Sequence, residues 1–175
     1  MEHNYSLTYK NVYLRPLQAQ DIESLRIWRN NPQNTKYLSK IPPITREMQE
    51  AWYKRYLSNK NELCFAIVEN EILNRVVGSL SLHDFSLESC FLGHVLIGDE
   101  NAHGKKVGVN ASVAATQIAF NELKLRTVKL YVFPENISAY KVYQQAGFTI
   151  ADVHEVSNGG KEYTMIKDKE DQENA

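Results

Sequence analysis

The sequence predicts a single α+β domain in which helices flank a mostly antiparallel sheet. Its 175 residues suffice for one hydrophobic core and not for two. Strand-like and helix-like apolar patterns alternate along the chain, and three successive strand-like segments are separated by turn residues, as in an antiparallel meander. We expect the domain to span residues 1–167. Residues 168–175 carry almost only charged and amide side chains and are expected to form a disordered tail.

The N-terminal half is predicted to contain two helices and four strands. A strand is expected at residues 12–17, and apolar side chains at helical spacing after Asp21 predict a first helix that ends near Pro32. Thr45 has the side chain and position of an N-cap for the second helix. The meander strands are expected at residues 63–68, 76–85 and 90–97.

The C-terminal half is predicted to alternate helix and strand. From Val107 onward small apolar residues recur every three or four positions, so this helix has a narrow face that can lie close to a sheet. A strand at residues 125–133 and a short helix at 138–145 follow. A last hairpin is expected from residues 148–156 and 162–166, with Asn158, Gly159 and Gly160 at its turn.

Charge and cysteine content exclude several classes of function. Twenty basic and 21 acidic side chains give a net charge of −1, so we expect neither a nucleic acid nor a membrane as partner. Cys64 and Cys90 lie in predicted strands without ligand spacing, and no metal site or disulfide framework is expected. No stretch approaches the roughly 18 apolar residues of a membrane span, and the first residues lack a signal-peptide pattern. We therefore expect a cytoplasmic protein.

The loop before the long helix has the composition of a phosphate site. It contains Gly98, Gly104 and Gly108 together with Lys105 and Lys106. Main-chain N–H groups at a helix start lack partners and lie at the positive end of the helix dipole, so they can hold a phosphate. An ordinary turn with two solvated lysines has the same composition, and no Gly-Lys-Ser/Thr run of a Walker loop follows.

A second segment places chemistry-bearing residues at a defined spacing. Asn136 follows a strand as the N-cap of a helix, and Tyr143 lies seven residues later, two turns along the same face. With the glycine-containing loop, the alanine-rich helix and the run Ala146-Gly147-Phe148, this order resembles the acetyl-CoA-binding half of the GNAT superfamily of N-acetyltransferases. The resemblance extends in element order over residues 7–166. It implies a three-layer α/β sandwich with a mixed, mostly antiparallel sheet.

The resemblance implies acetyl-CoA as cosubstrate and assigns residues to it. Backbone groups near the end of the third meander strand would hold the pantetheine arm and thioester, the following loop would hold the pyrophosphate, and the capping asparagine would contact the arm. Where the family usually has Arg or Gln followed by two glycine positions, this chain has His103, Lys106 and Gly108. Main-chain binding at Lys106 then requires a helical backbone there. The implied set is Leu96, Ile97, Gly98, Gly104, Lys105, Lys106, Val107, Gly108, Val109 and Asn136.

Tyr143 is the general acid that the resemblance implies, since the departing thiolate must receive a proton. The general base is not inherited, because the two positions at which family members carry a carboxylate are Phe91 and Tyr131. Glu88 and His94, which lie in or beside the same strand, are the candidates, and imidazole groups titrate near neutrality. A buried structural role for the histidine and a water relay to solvent are the alternatives.

The acceptor site is expected on the first two helices and on the loops that face the cofactor cleft, as is usual in this family. Trp28, Arg29, Asn30 and Trp52 are the candidates, because arginine and aromatic rings suit a diphosphate and a base. The alternative is that the tryptophans are core residues and the arginine a surface charge. Residues 28–32 resemble both the branch that acetylates nucleotide-linked amino sugars and the branch that acetylates ribosomal-protein N-termini.

The predicted reaction is direct transfer of acetyl from acetyl-CoA to a primary amine, without a cysteine intermediate. We rank a nucleotide-linked amino sugar first as acceptor, a protein N-terminal amine second and a small amine such as a polyamine third. A chain that binds CoA without catalysis is the alternative outside the enzymes, since the family carboxylates are missing. Dimers are common in the family, and a homodimer is compatible with the resemblance.

Overall fold

The computed structural model describes residues 2–37, 42–156 and 159–169. Within these residues eight strands form one sheet in the order β1-β2-β3-β4-β5-β6-β8-β7. The strands are β1 Leu7–Tyr9, β2 Val12–Pro16, β3 Glu62–Glu69, β4 Arg75–His83, β5 Ser89–Ile97, β6 Thr127–Val132, β7 Thr149–Glu155 and β8 Lys161–Asp168. The helices are α1 Ile22–Asn30, α2 Arg46–Ser58, α3 Val107–Gln117, which continues as a π-helical turn at Ile118–Glu122, and α4 Ile137–Gln145.

The two faces of the sheet are covered by different helices. Side chains alternate along β3, so Phe65 faces the core beneath α3, whereas Cys64 and Ala66 face the cluster formed with α1 and α2. On α3 the residues Ala111, Ala114 and Ala115 are fully buried against the sheet. The narrow small-residue face predicted for this helix is what lets it lie so close.

Strands β5 and β6 form a parallel pair that is short. Their register runs only from Ser89 opposite Thr127 to Phe91 opposite Lys129, although β5 continues to Ile97. Beyond Phe91 the two strands part. Because α3 follows β5 and α4 follows β6 along the chain, the N-terminal ends of both helices come to this opening.

Most of the predicted elements are present, and the differences have local causes. The three-residue strand β1 was not predicted because it is too short to show a pattern. Strand β4 ends at His83, before the left-handed Asp84 (φ 51°), and not at Phe85. The predicted hairpin turn includes Asn158, which lies outside the described residues.

The structured part of the chain continues past the expected boundary at residue 167. Strand β8 includes Asp168, and the N–H of Lys169 donates to the carbonyl of Arg126 at 2.9 Å. The remaining tail, residues 170–175, lies outside the described residues. Among the residues that the structure describes, no helix has the length and apolar character needed to cross a bilayer.

Helix α1 is anchored to the sheet by Trp28, whose indole lies against Gly98. A Cβ atom at Gly98 would lie 2.1 Å from Cγ of Trp28. No side chain fits there unless the indole moves, so replacing Gly98 by alanine forces the helix away from the end of β5.

We predict that Gly98→Ala lowers the free energy of unfolding by about 2 kcal/mol, the usual size of an overpacking effect. Equilibrium urea unfolding measures it. Gly108→Ala is the matched control, because its Cβ would meet Val142 at an ordinary 3.5 Å and alanine favours a helix. Equal stability of the Gly98 variant and the wild type would contradict the packing described for Trp28.

Candidate active site

A cleft of about 600 Å³ opens where β5 and β6 part. Its walls come from the end of β5, the loop and first turn of α3, and the inner face of α4. Three further lining residues belong to the connection between α1 and α2 and were not predicted, because a polar loop carries no pattern that would mark them. They are Gln33, Asn34 and Tyr37.

The first turn of α3 presents its main chain to this cleft. Val107, Gly108 and Val109 line it, and the N-cap residue Lys106 makes no side-chain capping bond. N–H groups in a first turn have no acceptor within their own helix, and the dipole adds positive charge there. The helix start therefore has the donors and the field that the pyrophosphate of acetyl-CoA requires.

Lys106 does not have the helical backbone that the sequence interpretation required. Its φ of 57° and ψ of 17° are left-handed, a conformation that costs a non-glycine residue about 1 kcal/mol. The position thus has the backbone that glycine adopts without strain, which fits the glycine that the family usually carries there.

A buried pair of asparagines braces the loop from behind. Asn11 Nδ2 donates to the carbonyl of Lys105 at 3.1 Å, and Asn110 Nδ2 donates to Asn11 Oδ1 at 2.6 Å. His103 Nε2 lies 3.1 Å from the carbonyl of Ile97 and closes the loop at its other end. Lys105 does not line the cleft, so its predicted contact with the cofactor is not supported.

Gly98 was also predicted to hold the cofactor, and the structure gives it another role. Its N–H donates to the carbonyl of Val77 at 2.9 Å, and the indole of Trp28 covers its Cα. The other predicted cofactor residues do line the cleft: Leu96, Ile97, Gly104, Lys106, Val107, Gly108, Val109 and Asn136.

Helix α4 brings Asn136 and Tyr143 to the same cleft. Asn136 Oδ1 accepts the N–H of Ala139 at 3.2 Å, so the side chain caps the helix while its amide N–H₂ remains available to a ligand. The ring of Tyr143 is 9% exposed and packs edge-on against Phe148. Burial raises the pKa of Tyr143 to about 12. Asn136 thus caps the helix and Tyr143 packs on Phe148, and both residues also line the cleft.

Neither candidate base is among the residues that line the cleft: His94 lies within β5, three residues before its end, and Glu88 comes just before the strand. The side chain of His94 is 55% exposed, with Nδ1 at 2.9 Å from Ser81 Oγ and 3.3 Å from Glu62 Oε1, so the alternative of a buried histidine is wrong. Glu88 precedes the strand, is 70% exposed and faces Arg126. At ~3.3 Å per residue it lies roughly 26 Å along the strand from Leu96. The structure does not bring Glu88 to the site.

A second cavity, of about 360 Å³, lies between α1 and α2. Arg29, Trp52 and Arg55 line it together with mainly apolar side chains. Arg29 is half-buried, and burial lowers the pKa of its guanidinium. Trp52 stacks on Tyr56 with 5.8 Å between ring centroids and so is both a packing residue and part of the wall.

The other two acceptor candidates have structural roles. Asn30 exchanges two hydrogen bonds of 2.8 Å with the main chain of Ile44, which ties the end of α1 to the segment before α2. Trp28 packs on Gly98 and is absent from the lining of either cavity. The prediction that these two residues contact substrate is therefore not supported.

The parted strands, the helix start aimed between them and the capped α4 define an acyl-CoA-dependent acyltransferase. Residues 11–149 match the family described as acetyltransferase (GNAT) domain, and the chain belongs to this family. The predictions of fold, of N-acetyltransferase activity and of acetyl-CoA as acetyl donor are thereby confirmed.

Individual relatives support the same assignment. The chain is 31% identical over 136 residues to the acetyltransferase PseH of Campylobacter jejuni. The aligned region covers 78% of this chain and 82% of that protein. It is 30% identical over 149 residues to the probable N-acetyltransferase YjcK of Bacillus subtilis, covering 79% and 81%. The spermidine N-acetyltransferase of Vibrio cholerae, solved with CoA and spermine, superposes with a TM-score of 0.79 at 20% identity, over 91% of this chain and 96% of that one.

We predict that Lys106→Gly raises the free energy of unfolding by up to about 0.5 kcal/mol. Glycine removes the left-handed strain of about 1 kcal/mol, but its greater chain entropy in the unfolded state offsets at least half of that gain. Urea unfolding without ligand measures it. Lys105→Gly is the control, since Lys105 has no positive φ and should gain nothing. A Lys106 variant less stable than the wild type would rule out this account of the loop.

Proposed function

We propose that this enzyme acetylates the amino group of a nucleotide-linked amino sugar. The observation that carries the proposal is the second cavity, which gathers Arg29, Arg55 and Trp52. Guanidinium groups bind a diphosphate through paired hydrogen bonds, and an indole offers a stacking surface for a base or a sugar. Within the described residues Arg29 makes no hydrogen bond or ion pair, so an anionic ligand would offset its desolvation.

The acceptor would approach on the face of the sheet covered by α1 and α2, which also carries His94. The amine attacks the thioester carbonyl, a C–N bond forms, the C–S bond breaks and one amine proton is lost. The edge of β5 beyond Phe91 has no ladder partner in the described sheet. Its main-chain N–H groups are fixed donors suited to the oxyanion that develops during attack. We assign the proton acceptor role to His94.

Tyr143 would act as a hydrogen-bond donor to the departing thiolate. With a pKa of about 12 its hydroxyl stays protonated at any working pH. A thiol has a pKa of about 8.5, so complete proton transfer from this phenol is unfavourable, whereas donation of a hydrogen bond is not. This refines the general-acid role: the residue stabilises the leaving group, and solvent supplies its proton.

Polyamines rank below the sugar nucleotide for an electrostatic reason. Neither cavity has a carboxylate among its described lining residues, whereas the second cavity has two guanidinium groups. A polycation would meet like charge there. The amine of a sugar nucleotide belongs to an anionic molecule, which these charges attract.

Thiol release from acetyl-CoA tests the acceptor class. We expect the highest kcat/KM with a nucleotide-linked amino sugar, compared with the same sugar without nucleotide, a peptide with an unblocked N-terminus, and spermidine. Arg29→Gln should raise KM for the sugar nucleotide about 10-fold or more, as for loss of a charged hydrogen bond, and leave KM for the bare sugar unchanged.

Arg46→Gln is the control for that substitution, because Arg46 lies on α2 outside the cavity and is 69% exposed. Equal kcat/KM for the sugar with and without its nucleotide would overturn the acceptor assignment. CoA binding without turnover of any amine above hydrolysis would favour a non-catalytic CoA-binding protein.

We predict that Tyr143→Phe lowers kcat by about 100-fold, the usual loss when one hydrogen-bond donor to a developing anion is removed, and leaves the Kd of acetyl-CoA unchanged. Wild-type kcat should stay level from about pH 8 to about pH 10, where an ordinary tyrosine would be half ionised. Tyr140→Phe, on the same helix but outside the cleft wall, is the control. Unaltered turnover of the Tyr143 variant would remove this residue from the reaction.

A further inference from the structure

We infer that Glu62, assisted by Ser81, is a positioning residue that holds His94 as the proton acceptor of the acetyl transfer. The inference rests on the proposed function and adds two residues to it that no sequence pattern marked. Three adjacent strands supply the cluster: Glu62 begins β3, Ser81 lies in β4 and His94 lies in β5. All three lie on the face that α1 and α2 cover.

The contacts of His94 favour a proton on one of its two ring nitrogens. Nδ1 lies 2.9 Å from Ser81 Oγ and 3.3 Å from Glu62 Oε1. Glu62 is 15% exposed, and hydrogen bonding from His94, followed by smaller contributions from Ser81 and Cys64, holds its pKa below the usual value despite burial. Because an ionised carboxylate only accepts hydrogen bonds, the contact with Glu62 favours the tautomer with the proton on Nδ1, and the Ser81 hydroxyl can accept from the same nitrogen. Nε2 keeps its lone pair.

The backbone at His94 is shaped to place the ring there. The pairing of β4 with β5 shifts between Ser79 and Ser81, where β5 contains an extra residue, and His94 has a φ of 52°. A left-handed residue in a bulge is strained, and the bulge changes the direction of its side chain. Both features are common at functional positions. His94 precedes Leu96 in the cleft wall by two residues, ~7 Å along the strand.

Other charged groups around His94 are few and lie on separate elements. His83 of β4 stacks on its ring with 5.3 Å between centroids and is itself 2.9 Å from the carboxylate of Asp84. From α1, Arg29 interacts electrostatically with Glu62. On the β6 side, Lys129 lies over the ring of Phe91. Glu62 is therefore the carboxylate in direct contact with His94.

In the reaction one N–H bond of the attacking amine breaks and its proton moves to Nε2 of His94, while the C–N bond forms and the C–S bond breaks. The imidazolium that results lies against the ionised Glu62, which stabilises the positive charge. His94 then returns the proton to solvent, to which more than half of its side chain is exposed.

The test compares Glu62→Gln with a control variant, Glu88→Gln. Glu88 is a carboxylate that precedes β5, at the end of the strand away from the cleft. We expect nitrogen-resolved NMR to show a proton on Nδ1 of His94 in the wild type and a shift toward the Nε2-protonated form in Glu62→Gln. The acidic limb of the kcat/KM profile should move to lower pH, because loss of a neighbouring negative charge disfavours the imidazolium. Plateau kcat should fall about 10-fold, and Glu62→Asp should restore part of it.

Two further variants keep the inference testable. His94→Asn should abolish the acidic limb and stay folded, since asparagine tolerates a left-handed backbone. If Glu62→Gln does not fold, Ser81→Ala serves in its place and should shift the limb in the same direction. If the folded variant has the same tautomer and the same pH profile as the wild type, the role of Glu62 is overturned. The proposed acetylation is not affected by that result. If no amine is acetylated, the proposed function fails, and the NMR result still decides the geometry.

Discussion

Beyond Phe91 the main-chain groups on one edge of β5 have no partner strand in the described sheet, and the active site forms at this unpaired edge. Backbone groups without a partner must bind something else. Strands β5 and β6 share only the register from Ser89 to Phe91, and each is followed by a helix whose N-terminal end comes back to the opening. The two helix starts, the unpaired edge and the volume between them are thus consequences of one interruption in the sheet.

In the proposed reaction the two substrates approach from different sides of the sheet. The donor cleft is lined mainly by the end of β5, α3 and α4, with three residues from the connection between α1 and α2, whereas the cavity with Arg29 and the cluster of Glu62, Ser81 and His94 lie on the face covered by α1 and α2. Reacting groups from the two sides can meet only where β5 and β6 are apart. A bulge in β5 at this place positions His94, the residue to which we assign the role of proton acceptor.

Local patterns predicted the order of the elements. The family resemblance that they carry assigned Asn136 and Tyr143, which lie seven residues apart on one helix, to the cofactor and the reaction. What depended on register or on packing could not be predicted. Gly98 was assigned to the cofactor, since a glycine signals close approach without saying whether a ligand or an indole approaches. The contact of Glu62 with His94 joins strands 32 positions apart in the chain and needs the register of three strands. The distance of Glu88 from the site could have been recognised from the sequence alone, because a strand of the predicted length already separates Glu88 from Leu96.

The contact of Trp28 with Gly98 also restricts how this protein can change. A larger residue at position 98 is compatible with the fold only if position 28 becomes smaller, so neither change is accessible alone without loss of stability. The end of α1 is in this way fixed to the strand that leads into the donor loop. If the neighbouring cavity is the acceptor site that we propose, variation in acceptor preference can accumulate at positions 29, 52 and 55, which line it, while the donor side keeps its geometry.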